Sequence, residues 1–422
     1  MYTADKRNRR TPDWHTDFSP RGSFLSPELQ GIISATVAAQ PQCGFARPAA
    51  IPGSALNFFG RNITLAARST AIDKSDFLGL NKGLNLSSVH CNSTARPKAF
   101  STSGQPKMAE STNALRYVDI GVNLSDPVFR GEYHGKQAHE DDLDDVIQRA
   151  KDVGCSKFMV TGSDLVESKH AISVASKYPG FCYATVGVHP CQAKLFDEYP
   201  EGAQKMLQEL WTLVVQAKKD GHVVAFGEIG LDYDRLFLSP KEPQLKYFEA
   251  QLDLAVEIQL PLFLHSRAAS EDFERLLAPR MARLPKRGLV HSFTGTLEEM
   301  HRMIALGLDV GVNGCSLKTE ENLEVVKAIP LERLQIETDG PWCEIRPSHA
   351  SAKHLEGAPE LPKAVKKEKW QKGCMVKGRN EPIAIARVAH VIASVKGITV
   401  EEVCEAAWNN SIRMFGLGEK SA

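Results

Sequence analysis

Residues 224–233, Val224-Ala-Phe-Gly-Glu-Ile-Gly-Leu-Asp-Tyr233, decide the fold. The apolar run from Val223 to Phe226 stops abruptly at Gly227, Glu228, Gly230 and Asp232. Such a run, ending in glycines and acids, is the pattern of a buried parallel strand whose C-terminal end opens into a site. Taken alone it suits equally well a strand whose Glu caps the next helix. Three later stretches repeat the form: Pro261-Leu-Phe-Leu-His-Ser-Arg267, Gly288-Leu-Val-His-Ser-Phe-Thr-Gly295 and Leu334-Gln-Ile-Glu-Thr-Asp-Gly-Pro341. Each is apolar and then reaches a His or an Asp, which gives the set Glu228, His265, His291 and Asp339. Two imidazoles and two carboxylates on strand ends make a mixed nitrogen and oxygen site for a divalent metal.

Outward from these stretches, strand-like runs are predicted at Tyr117–Leu124, Lys157–Thr161, Cys182–His189, Val223–Gly227, Pro261–His265, Arg287–His291, Leu308–Val312 and Leu334–Glu337. Amphipathic stretches of helical period lie between them, among them Asp142–Val153, Ala203–Ala217 and Glu242–Ile258. Strands alternating with helices in this way predict an α/β fold, a (β/α)8 TIM barrel over residues 113–422. A doubly wound open sheet is the rival. The barrel is favoured because ligands from strands four, five, six and eight converge on one barrel mouth, whereas an open sheet spreads them along an edge.

Residues 1–112 differ in character. They are rich in Ser, Ala, Asn, Pro and Arg, and show no sustained strand or helix period. Residues 1–107 hold 13 Lys and Arg against 6 Asp and Glu, although the whole chain is neutral, with 51 of each sign. The remainder is therefore mildly acidic. This composition predicts a disordered or targeting-like extension. A mitochondrial or plastid address follows if it is a transit segment, and a cytoplasmic or nuclear one otherwise. Met108 is a second candidate start for the working protein. Nine cysteines without a CxxC pair indicate neither a zinc knuckle nor a disulfide framework, so a reducing compartment is expected. No apolar run approaches the ~20 residues that span a bilayer.

Seven motifs in order, Asp119-Ile-Gly-Val-Asn-Leu-Ser-Asp-Pro127, Gly187-Val-His-Pro190, Gly227-Glu-Ile-Gly-Leu-Asp-Tyr233, Phe263-Leu-His-Ser-Arg267, Val290-His-Ser-Phe-Thr-Gly295, Glu337-Thr-Asp-Gly-Pro341 and Arg379-Asn-Glu-Pro382, carry a specific resemblance. Residues 117–417 resemble the TatD family of metal-dependent deoxyribonucleases, in its eukaryotic-type branch. The resemblance implies hydrolysis of DNA phosphodiester bonds, commonly exonucleolytic, with one or two divalent ions held by Glu228, His265, His291 and Asp339. Many relatives end the first strand in His-x-His, where this chain has Gly121 and Asn123. An amide oxygen suits Mg²⁺ or Mn²⁺ better than Zn²⁺, so Mg²⁺ is the first expectation and Zn²⁺ or Mn²⁺ the alternatives.

In this reading Glu228 and Asp339 are the catalytic carboxylates, with Asp339 both ligand and acceptor of a water proton. His189, Arg267 and Asn123 are expected to contact substrate, and Asp119 and Asp232 to support the ligands. His189 also suits a structural histidine, and Arg267 an ion pair with a barrel carboxylate. Glu337 is expected to support the site one layer deeper and Asn380 or Glu381 to cap a helix, while Trp342 suits a stacking face for a base or, more commonly, a buried aromatic. Two alternatives stand beside the nuclease. One is a hydrolase of another ester or amide, such as aminoacyl-tRNA, although no strand end carries the Lys many such sites use. The other is a nucleic-acid-binding pseudoenzyme, against which four intact ligand positions argue. DNA is the expected partner and a membrane is not.

Overall fold

The computed structural model describes residues 115–419, so the extension expected over residues 1–112, Met108 included, lies outside the described residues. Eight strands form one parallel sheet in chain order: β1 Tyr117–Val122, β2 Cys155–Val160, β3 Cys182–Val186, β4 Val223–Asp232, β5 Leu262–Arg267, β6 Gly288–Val290, β7 Asp309–Val312 and β8 Leu334–Ile336. All eight runs read from the sequence are strands. The sheet curls until its ends meet. Asp339 N donates to Gly121 O and Asn123 N donates to Gly340 O, both at 2.8 Å. These bonds close the seam beyond the end of β8, and the barrel reading holds over the open sheet.

The largest departure from the predicted boundaries is β4, which continues through Glu228 to Asp232. Its pairing with β5 is irregular between Phe226 and Ile229. Gly227 lies within that irregularity and Gly230 directly after it, both at φ +152°, and a Cβ on either would overlap a carbonyl oxygen of β5, that of Phe263 or His265. Only glycine lets the two backbones approach so closely, and the local shift re-aims Glu228.

Helices cover the outside, notably α1 Leu143–Asp152, α2 Leu165–Lys177, α3 Ala203–Lys219, α4 Lys241–Ile258, α5 Ser270–Leu277, α6 Leu297–Ala305, α7 Glu320–Ala328, α8 Ile385–Lys396 and α9 Val400–Phe415. Thr296, Thr319 and Thr399 begin α6, α7 and α9 with capping boxes, which fix where those helices start. Inside the barrel Ile120, Met159, Ala225, Phe263 and Leu289 pack with Trp408, Ile412 and Phe415 of α9. Burying each of those three side chains contributes roughly 1.5–3 kcal/mol, and together they close the N-terminal end. The open end is therefore the one that carries the polar strand ends. No single helix among the described residues is long and apolar enough to cross a membrane.

Candidate active site

The four predicted ligand residues come together at the C-terminal mouth, lining a cleft of about 550 Å³. Glu228 Oε1 is the focus. It lies 2.6 Å from His291 Nε2, 2.7 Å from His265 Nδ1 and 3.3 Å from His189 Nε2. His265 Nδ1 and His291 Nε2 are themselves only 3.4 Å apart. Three imidazole nitrogens facing one carboxylate oxygen, all buried or nearly so, demand positive charge between them. The electrostatics agree. Burial alone would raise the pKa of Glu228, but the charges of His291 and His189 hold it well below the carboxylate range. Burial alone would lower that of His291, but Glu228 and then Glu337 hold it well above the usual imidazole value. A divalent cation fits this donor set. Among the described residues, the ligand atoms of His189, Glu228 and His265 lie within 4.8 Å of one another. His189 thus sits inside the cluster.

The outer nitrogens face polar groups as well. His265 Nε2 is 3.1 Å from Asp232 Oδ2, and His291 Nδ1 is 3.5 Å from Glu337 Oε2. His189 Nδ1 accepts from Cys191 N at 3.1 Å, which turns Nε2 toward Glu228. Two glutamines of α4, missed in the sequence, hold the backbone under these residues. Gln251 accepts from Val188 N at 2.8 Å and donates to Val188 O at 3.0 Å. Gln244 does the same for Asp232, at 2.8 and 2.9 Å. Both are buried, and their spacing of seven places them on one helix face. A polar residue repeated on an otherwise apolar face was the signal available.

Asp339 adopts φ +53°, and Ser292, Cys343 and Ala268 are also left-handed. Each such non-glycine residue costs on the order of 1–3 kcal/mol, and the four gather just beyond the ends of β5, β6 and β8. Asp339 Oδ1 accepts from Asn123 Nδ2 at 3.1 Å, and that amide also donates to Gly340 O. Asn123 therefore lines the cleft as a group that positions Asp339. Burial raises the carboxyl of Asp339 to about 7, against the charge of His291 and with help from Glu337 and Glu228. Asp119 turns into the seam, where its carboxylate accepts from Thr338 N and Oγ1, and it does not line the cleft. It supports the turn that carries Asp339 rather than a second ion.

Three expectations need correcting. Trp342 is 58% exposed and borders the cleft, because the turn after Asp339 carries it outward instead of into the core. Cys315 and Cys343, on the loops after β7 and β8, form a disulfide at the mouth, with Cys343 Sγ 3.2 Å from Asp339 Oδ2. Their separation of 28 residues follows no recognisable spacing rule. Asn380 and Glu381 make no helix-capping bond with their side chains. Asn380 Nδ2 donates to Thr338 O, and Glu381 joins a buried ion network with Arg379 and Arg149. His354 and His390 lie on the periphery, bonded to Ser394 and to Glu356 O.

Gly121 explains its own lack of a side chain. A Cβ there would overlap Glu337 Oε2, whose carboxylate is fully buried and fixed through Oε1 by Ser292 N and Asn313 Nδ2. Glu337 thus fills the space a side chain at 121 would take. Gly121→Ala is expected to lower stability by about 1–3 kcal/mol in thermal unfolding, the usual cost of overpacking. Adding Glu337→Ala is expected to remove part of that penalty, and strict additivity of the two changes would contradict the contact.

A barrel with a buried imidazole and carboxylate cluster at its C-terminal mouth defines a hydrolase-type (β/α)8 enzyme. The model of the TatD related DNase family matches residues 118–416. A Schizosaccharomyces pombe protein, "Deoxyribonuclease Tat-D", is 54% identical over 303 residues, covering 72% of this chain and 96% of that protein. The "3'-5' ssDNA/RNA exonuclease TatD" of Erwinia billingiae is 33% identical over 305 residues, covering 71% and 98%. The crystal structure of a TatD family hydrolase from Entamoeba histolytica superposes with a TM-score of 0.65 at 38% identity, covering 72% and 98%. The chain belongs to the TatD-related DNase family.

Proposed function

We propose that this protein hydrolyses DNA phosphodiester bonds exonucleolytically, with a divalent cation held by Glu228, His265, His291 and Asp339 and with the Nε2–H of His189 beside it as a donor to the substrate phosphate. The convergence of three imidazole nitrogens on Glu228 Oε1 is the observation that carries this reading. A cation bound there supplies Lewis acidity toward a phosphoryl oxygen and toward the attacking water.

Asp339 accepts the proton of that water. Burial raises the pKa of the Asp339 carboxyl, which makes it a stronger proton acceptor than an exposed carboxylate. Asn123 holds its other face in place through Oδ1. Asp232 fixes the ring of His265 at 3.1 Å and Glu337 faces that of His291 at 3.5 Å, so negative charge already backs the cluster as charge develops on the phosphate. Steady-state cleavage of labelled single-stranded DNA with metal-stripped and reloaded protein tests the reading; hydrolysis that needs no metal contradicts it.

Cations beyond the cleft recruit the substrate. Residues 344–379 hold nine Lys and Arg against four acids. Some are engaged structurally: Lys353 pairs with Glu320, and Arg379 is buried. Lys366 and Lys367 instead line a groove shared with Trp342, and Lys367 lies 4.5 Å from the ring centre of Tyr133. Changing Lys363, Lys366, Lys367 and Lys369 together to Gln is expected to weaken DNA affinity. The salt slope should also become shallower by about one to three, since each lost phosphate contact removes ~0.7 for a single strand. An unchanged slope assigns these lysines to solubility alone.

A further inference from the structure

The cleft is polarised around its rim. Arg235 on the loop after β4, Arg267 at the end of β5 and Lys318 on the loop after β7 all line it. The acids that line it outside the ligand cluster, Asp126 and Glu167, follow β1 and β2 on the opposite side of the barrel. The three cations lack ordinary partners. Among the described residues, neither Arg267 nor Lys318 forms an ion pair, and Arg267 Nε is buried without a hydrogen bond. Arg235 has only Asp232, at 4.0 Å, and Asp232 is already engaged with His265. Like charges left together and unpaired at a cleft wall disfavour the free protein and favour an anion that joins them.

From these observations, and resting on the nuclease reading above, we infer that Arg235, Arg267 and Lys318 form a second phosphate pocket that holds the phosphodiester neighbouring the scissile one. Strand geometry separates this pocket from the metal cluster. Arg267 lies two residues beyond His265 on β5, about 7 Å further toward solvent at ~3.3 Å per residue. The three cations also lie close enough to influence one another: Lys318 is lowered first by burial and then by the charges of Arg267, Arg346 and Arg235. Arginine suits the role because its planar fork takes a phosphate in bidentate fashion. Phe237, 82% exposed and two residues after Arg235, offers the adjacent base a stacking surface. A single strand thus lies across the β4–β7 side of the mouth, away from Asp126 and Glu167.

The test compares two substrates on the full chain: bis(p-nitrophenyl) phosphate, which has one phosphate, and a short single-stranded oligodeoxynucleotide, which has several. Arg267→Gln and the pair Arg235→Gln with Lys318→Gln are expected to raise KM for the oligonucleotide about tenfold or more, the scale of a lost charged hydrogen bond. The corresponding penalty on the small diester should be at least several-fold smaller, and Arg267→Lys should recover part of the oligonucleotide loss. Equal losses on both substrates would place these cations at the scissile phosphate and overturn the inference, as would an unchanged oligonucleotide KM. Wild-type protein that cleaves neither substrate overturns the nuclease reading instead. The pocket is then read from oligonucleotide binding by fluorescence anisotropy, where the variants must bind about tenfold more weakly.

Discussion

Glu228→Gln is expected to lower kcat/KM on single-stranded DNA by ~10²-fold or more while leaving the barrel folded, the scale of losing one preorganised electrostatic group. The substitution keeps the shape of the side chain and removes one negative charge. That charge is what His189, His265 and His291 all face, at 2.6 to 3.3 Å. An amide oxygen also binds a divalent cation less strongly than a carboxylate, so bound metal should fall along with activity. Steady-state kinetics, with metal content measured on the same sample and circular dichroism as the control for folding, check the expectation. Turnover near wild type at saturating Mn²⁺ or Mg²⁺ would remove Glu228 from the reaction.

Arg379→Ala is expected to cost about 3–5 kcal/mol of stability, the usual result of breaking a buried ion pair from one side. Arg379 donates to Asp142 through both terminal nitrogens, at 2.8 and 2.6 Å, to Glu381 at 2.9 Å and to Val128 O at 2.9 Å. Arg149 completes the network by donating to Glu381 at 2.9 Å. Without Arg379, two fully buried carboxylates share the single charge of Arg149. For a barrel spanning residues 115–419, at about 1.6 °C per kcal/mol, the melting temperature falls by about 5–8 °C. Arg379→Lys should recover little, because one ammonium cannot reproduce the paired bonds to Asp142. The effect reaches the site through the next residue: Asn380 is bonded by its backbone to Pro341 O and by its side chain to Thr338 O, on either side of Asp339. A loss below about 1 kcal/mol would mean that water enters to replace the network.

The contrast between Glu228 and Arg379 shows what a sequence makes legible. Buried parallel strands are apolar runs, and a polar residue at the end of such a run stands out. Glu228, His265, His291 and Asp339 share that form, so the sequence alone brings each of them to a strand end. Arg379 and Glu381 find their partners Arg149 and Asp142 more than 200 residues away, and local spacing offers only helix capping as an explanation. The same reason hides the pairing of Cys315 with Cys343 and the exchange of space between Gly121 and Glu337. The sequence places His189 at the mouth but not its depth, which depends on Gln251 of α4 holding Val188. Trp342 went the other way, since the left-handed backbone of Asp339 and Cys343 around it sets its exposure.

The measurement that bears most directly on the account is the metal requirement of the full chain, read together with its metal content. Protein stripped with EDTA should lose single-stranded DNA hydrolysis by ~10²-fold or more, and Mn²⁺ or Mg²⁺ should restore it. His265→Ala should bind less metal and regain little activity on reloading, because His265 Nδ1 faces both Glu228 and His291. Hydrolysis that survives chelation at the wild-type rate, or a His265→Ala protein that binds metal and cleaves DNA as wild type does, would contradict a metal-dependent phosphodiesterase centred on Glu228.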